Sequence, residues 1–138
     1  MSGMFNFQVV APTGILFTTN VQFVVVPGRE GQLGILPNHA PLITALAPGV
    51  VYYTIEDNVK MMAIAGGFMD VADNSVTILS EAAELAEHID PERANEDKIR
   101  AEKRLQRKQA NLDISRANLA LYWAEASLKT YEQSGRNS

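Results

Sequence analysis

The chain has 138 residues, 46% of them hydrophobic and 20% charged, with no cysteine and a net charge of −4. Such a composition folds, fills one ordinary domain or one small domain with an appendage, and excludes a disordered chain and a disulfide scaffold. No apolar run approaches the roughly 20 residues that cross a bilayer, and residues 1–8 have neither the basic start nor the apolar core of a secretory leader. The protein is therefore expected to stay in the compartment where it is made.

The first eighty-odd residues read as short strands. Residues 5–10, 21–26, 50–55, 61–65 and 76–79 are rich in β-branched or aromatic side chains. Turn formers punctuate them at Pro12-Thr13-Gly14, Pro27-Gly28, Pro37-Asn38, Pro48-Gly49, Asp57-Asn58 and Asp73-Asn74. This spacing suits an antiparallel sandwich or barrel, and the imperfect alternation of several strands suits elements covered on both faces. Gly66-Gly67 inside an apolar stretch implies a bulge or a close backbone approach.

The pattern changes at Ser80. Glycine is absent from there to Gly135, and alanine, glutamate, lysine, arginine and leucine dominate, which predicts helix. Asp90-Pro91 has the chemistry of a helix start, an acceptor side chain followed by a residue with no N–H to satisfy. The first helix carries a thin apolar stripe, Ala94, Ala101, Leu105 and Leu112. In the second, Ile114, Ala117, Leu121, Ala124, Leu128 and Tyr131 recur at steps of three and four, the seam of a helix packed on another helix. A hairpin turning near residues 110–113 is the economical reading. One continuous helix of about 40 residues, reaching roughly 60 Å, is the alternative. The fold class expected is thus β + α: an N-terminal flattened antiparallel β-sandwich over residues 1–86, then a two-helix hairpin over residues 87–138.

Charge divides the same way. Residues 1–89 hold eight acidic and two basic side chains; from Asp90 onward there are ten basic and eight acidic, the basic ones concentrated in Arg93, Lys98, Arg100, Lys103, Arg104, Arg107 and Lys108. Interleaved Glu92, Glu96, Asp97 and Glu102 argue against nucleic acid and for an acidic protein partner.

Catalytic chemistry finds little footing. His39 and His88 lie far apart and fit no metal-ligand spacing, so no metal site and no catalytic residue is expected. His39, in a strand-linking turn, suits a structural or interface role. Gly28-Arg29-Glu30-Gly31-Gln32-Leu33-Gly34 is glycine-rich but matches no phosphate-binding fingerprint and opens no helix, so a β-turn with a strand bend is expected. Tyr122 and Trp123 beside the helical seam suit core packing, an interface anchor or both, with packing the favoured role.

Three stretches carry a resemblance: Gly31-Gln32-Leu33-Gly34-Ile35-Leu36-Pro37-Asn38-His39-Ala40-Pro41-Leu42, Ala65-Gly66-Gly67-Phe68-Met69-Asp70-Val71 and Ile89-Asp90-Pro91-Glu92-Arg93-Ala94. Together they resemble the epsilon subunits of F-type ATP synthases, across nearly the whole chain and in the same order. The resemblance implies a non-catalytic rotor subunit of the central stalk. Its sandwich would sit at the foot of the gamma subunit and against the c-ring, with Glu30, Gln32 and His39 as contact candidates; Gln32 stands where relatives often carry glutamate. The helices would either fold down beside the sandwich or extend toward the alpha and beta subunits and impede ATP hydrolysis, with Arg93, Arg100, Lys103, Arg104, Arg107 and Lys108 as charge partners.

The third stretch also resembles the family's nucleotide motif, placing Glu84, Ile89, Asp90, Arg93, Ala94 and Arg100 as candidate contacts. Tyr122, Trp123 and Ser127 stand where ATP-binding relatives supply basic groups. No cofactor is required on this reading, and ATP is at most a weak regulatory ligand. The location implied is peripheral, on the cytoplasmic face of a bacterial inner membrane or the stromal face of the thylakoid. A free-standing ATP-binding sensor is the second reading.

Overall fold

A computed structural model describes residues 3–107 and 114–136. Eight strands come first: β1 (Phe5–Ala11), β2 (Gly14–Val21), β3 (Phe23–Gly28), β4 (Gly31–Ile35), β5 (Leu42–Ile55), β6 (Asn58–Ala72), β7 (Ser75–Leu79) and β8 (Ala83–Leu85). A single 3₁₀ turn, Ala86–His88, leads to helices α1 (Pro91–Arg107) and α2 (Ile114–Arg136). The strands run in the order β2-β1-β7-β6-β5-β3-β4, with β8 paired to β6. Every pairing is antiparallel except β1 with β7, which are parallel.

This sheet folds over on itself. Phe7 of β1 and Tyr53 of β5 are separated by two strands in the order, yet their rings lie 5.7 Å apart, and Phe17 of β2 stands 5.4 Å from Tyr53. The long strands β5 and β6 supply the corner. On β5 the core takes Leu42 and Leu46 and then Val51 and Tyr53; on β6 it takes Met62 and Ile64 and then Met69 and Val71. The inward parity of both strands thus changes between residues 46 and 51 and between 64 and 69. The register between them does not slip, since Leu46 pairs with Gly67 and Val51 with Met62.

Gly66 and Gly67 sit at this change with φ of 91° and 126°, a backbone region that only glycine occupies without strain. Of the two expectations for this pair, the close approach is the one realised. A Cβ on Gly67 would lie 1.9 Å from the Leu79 carbonyl oxygen.

Several sequence expectations need correction. Pro48-Gly49 does not reverse the chain; it lies in the β5 corner, where Gly49 lets Pro27 pack close. Pro27-Gly28 belongs to β3, and the reversal falls on the next two residues, with Gly31 at φ 135°. The glycine-rich run is more than a bend, because Gly31–Ile35 forms the edge strand β4. Residues after Ser80 do not enter helix directly, since β8 and the 3₁₀ turn intervene.

The helical half adopts the hairpin. α1 packs along α2, and α2 packs in turn on β5 and β6. The turn expected near residues 110–113 lies outside the described residues, as does Leu112. Ala94 and Ala101 are buried as the stripe on α1 requires, and Leu105 is half-buried. Among the α2 side chains described, the buried ones are Ala124, Ala126, Ser127 and Thr130, small side chains that let the helix approach both neighbours. Tyr131, expected on the seam, is 44% exposed. Trp123 packs with Ala63, Ile89 and Ala126, whereas Tyr122 is half in solvent.

Asp90 caps α1. Its Oδ1 accepts from the Glu92 N–H at 3.0 Å and the Arg93 N–H at 3.5 Å, and its carbonyl accepts from the Ala94 N–H at 3.0 Å. Asp90→Ala is expected to cost about 1 kcal/mol and to fray the first turn; faster amide exchange at Glu92 and Arg93 would report it.

Candidate association surface

The two layers leave two outer faces. One, built from the second half of β5 and the first half of β6, is covered by α2: Ala63 and Val50 are buried there, and the Tyr52 hydroxyl donates to Gln133 Oε1. The other outer face has no such cover.

Register fixes what the bare face presents. Val10 of β1 pairs with Ile15 of β2 on one side and Leu79 of β7 on the other, Leu79 pairs with Phe68 of β6, and Phe68 pairs with Ala45 of β5. Paired residues share a face, so these five form an apolar row across five strands. Ile15 is 63% exposed, Phe68 55% and Leu79 49%. A second row holds Gln8, Thr77, Asp70 and Ile43, the last 74% exposed. A depression of about 380 Å³ opens between Pro12, Gly67, Phe68 and Leu79. A continuous apolar band on a solvent face, rimmed by polar groups, is the mark of an association surface. Sequence reasoning did not find it; its one local trace is Leu79, apolar at an outward position where Thr77 is polar.

Glu30 and Gln32 lie at the start of the edge strand β4 and His39 beyond its other end. Glu30 and Gln32 are exposed, in and just after the β3–β4 turn, and His39 is half-buried in the turn after β4. The His39 N–H donates to the Leu36 carbonyl at 3.2 Å, and Nδ1 lies 2.8 Å from the Ala40 carbonyl oxygen. A carbonyl can only accept, so Nδ1 carries the proton, and in the neutral ring Nε2 is left as an acceptor.

The nucleotide candidates come together only in part. Glu84, Ile89, Asp90, Arg93 and Ala94 line one gap with Asp97, Trp123, Ala124 and Ser127. The gap measures about 10 Å³, the scale of a single water site. Arg100 does not line the gap; it donates to Asp97, which does, at 3.1 Å in an exposed i,i+3 pair that contributes little to stability. Lys103 and Arg104 are exposed on α1. Lys108 and the Arg107 side chain lie outside the described residues.

Among the described residues, Tyr53 is the one titrating group with a clear shift. Burial, then the Glu87 carboxylate, pushes its hydroxyl up to about 12 from an ordinary 10. Because the folded value is the higher one, this stabilisation is complete below pH 10 and is lost as pH rises from 10 toward 12. A loss on the order of 2 kcal/mol is expected over that window, measurable as a fall in urea midpoint alongside tyrosinate absorbance. Among the described residues no group of histidine, aspartate and glutamate side chains is arranged to hold a metal.

A folded-over sandwich whose own helices cover one face while an apolar row lies bare on the other defines a protein built for association with other chains. The chain belongs to the ATP synthase delta/epsilon chain family. The family's β-sandwich domain matches residues 4–86 and its long α-helix domain residues 87–132. It is 47% identical to the ATP synthase epsilon chain of Desulfitobacterium hafniense, over 93% of this chain and 96% of that one. To that of Syntrophomonas wolfei it is 46% identical, over 94% and 95%. A chain of the Euglena gracilis mitochondrial ATP synthase has the same fold, with a TM-score of 0.75 at 24% identity, covering 93% of this chain and 79% of that one. The protein is accordingly a non-catalytic subunit of the ATP synthase central stalk, and it works within a membrane-associated complex. No helix among the described residues is long and apolar enough to cross a membrane.

Proposed function

We propose that this subunit couples the rotor. Its sandwich docks on the gamma subunit and the c-ring, and its helical hairpin acts as a brake on ATP hydrolysis when it leaves the sandwich for the alpha and beta subunits. The observation that carries the docking is the apolar row from Ile15 to Phe68, left bare by the chain's own helices. Glu30 and Gln32 at the start of β4, and His39 beyond its end, suit contacts to polar loops of the c-ring. The exposed cations of α1, Arg93, Arg100, Lys103 and Arg104, suit an acidic segment of a catalytic subunit.

Replacing Phe68 and Leu79 together by threonine tests the docking, because both are exposed and threonine keeps strand propensity. Association with gamma and the c-ring is expected to weaken at least tenfold, while the unfolding midpoint stays near wild type. Wild-type affinity would remove the row from the interface. For the brake, truncation after His88 in the assembled enzyme is expected to raise ATP hydrolysis while coupled synthesis persists; unchanged hydrolysis would count against it.

ATP as a weak regulatory ligand fits this scheme only if α2 moves from α1, since a nucleotide needs several hundred Å³ and the gap beside Arg93 offers about 10 Å³. Trp123 lines that gap. Titration of its fluorescence with ATP, checked by calorimetry, decides the point, and no saturable signal at millimolar ATP would discard the ligand.

A further inference from the structure

The turn that carries His39 has a support that comes from elsewhere in the chain. Asn38 is in the left-handed region at φ 62°, and its N–H donates to Asn74 Oδ1 at 2.7 Å, from a residue 36 positions away. Asn74 is the second residue of the tight β6–β7 turn and is itself left-handed at φ 57°. Its other amide atom is also engaged: Nδ2 donates to the Met4 carbonyl at 3.1 Å. Its main-chain carbonyl accepts from the Asn6 N–H at 3.3 Å. Three segments remote in sequence therefore meet on one side chain: the turn after β4, the lead into β1 and the β6–β7 turn.

β4 ends the sheet, and three strands separate it from β7 in the strand order. Asn74 reaches the β4 side only because the sheet folds over, so its amide bridges the two layers at their open edge. Among the described residues the turn beyond β4 is also tied by the His39 N–H to the Leu36 carbonyl and by the His39 ring to the Ala40 carbonyl.

We propose that Asn74 is the positioning residue of the His39 turn, its side-chain amide holding Asn38, and through it the imidazole with its free Nε2, in the orientation presented to a partner subunit. This rests on the reading of the His39 turn as a contact surface. The residue type fits the task. An asparagine tolerates the left-handed backbone that the turn imposes, and its amide offers an acceptor and a donor on one planar group.

Two variants separate the side chain from the backbone. Asn74→Gly keeps the left-handed turn without strain and removes both amide bonds. Asn74→Asp keeps the acceptor for the Asn38 N–H and loses the donor to Met4. In the full chain, Asn74→Gly is expected to speed amide exchange at Asn38 about fivefold and to shift the His39 imidazole resonances, whereas Asn74→Asp leaves Asn38 protected. Binding to ATP synthase stripped of this subunit is expected to fall severalfold for Asn74→Gly and to recover with Asn74→Asp. Unchanged Asn38 exchange and His39 resonances in Asn74→Gly would overturn the assignment, as would a loosened turn with wild-type binding while His39→Ala binds poorly. The underlying reading fails separately, if His39→Ala itself binds at wild-type affinity.

Discussion

Gly67→Ala is expected to destabilise the sandwich by about 4 kcal/mol, enough to leave much of a marginally stable domain unfolded at ordinary temperature. Two costs combine at this position. The backbone sits at φ 126°, where an L side chain is strained by roughly 1–3 kcal/mol. The added Cβ would also meet the Leu79 carbonyl oxygen at 1.9 Å and the Ser80 Cα at 3.1 Å, all of it backbone that cannot swing aside. Gly14 isolates the first cost, because it shares φ 126° but nothing lies within 4 Å of its added Cβ. Gly14→Ala is therefore expected to cost only about 1–2 kcal/mol. Urea unfolding of both variants, with unchanged denaturant slope, checks the comparison; equal losses would mean that the approach of β6 to β7 is not what requires glycine at 67.

The same corner shows why some of the fold was legible in the sequence and some was not. Runs such as Val24-Val25-Val26 announce strands because β-branched side chains pack well on a pleated surface wherever they sit. Asp90-Pro91 announces a helix start because the capping atoms are within three residues of the groups they satisfy. Pro48-Gly49 misleads because the same dipeptide serves a chain reversal and a strand that switches faces, and only the partner strand distinguishes them. Glycine-rich β4 has weak propensity and is a strand through its pairing on β3, whereas β2 carries the propensity in Ile15, Phe17, Thr18, Thr19 and Val21 and takes only its register from β1.

The candidate surfaces divide by the same rule. Glu30, Gln32 and His39 lie within ten positions of one another, in a stretch distinctive enough to be recognised. Ile15, Val10, Leu79 and Phe68 come from four strands, each a lone apolar residue at an outward position. They become a row only once register is set. Asn74 was legible as a turn former, but its bond to Asn38 depends on the sheet folding over, which no local pattern encodes.

Register also decides how firmly the helices are held. Part of the contact of α2 with the sandwich is a close patch in which Ala63 has no exposure and Ala126 5%, closed by Ile89 and Trp123. Such a contact is intimate but not large, since alanine buries little area. Ala126→Glu would force a long charged side chain between α2 and the fully buried Ala63, at a cost of several kcal/mol if the helix stays down. Undocking is the cheaper response, so the variant is expected to shift the docked-to-undocked equilibrium by about a hundredfold or more. Trp123 emission should move to the red as its ring enters water. The sandwich itself should unfold near its wild-type midpoint, because Met62 and Ile64 face the other way into its core. In the assembled enzyme, a hairpin released from the sandwich is free to engage the alpha and beta subunits, so hydrolysis should be inhibited more strongly than by the wild-type chain. Unchanged Trp123 emission would refute the docking energetics. Undocked helices with unaltered hydrolysis would refute the brake, leaving coupling through the sandwich as the subunit's whole contribution.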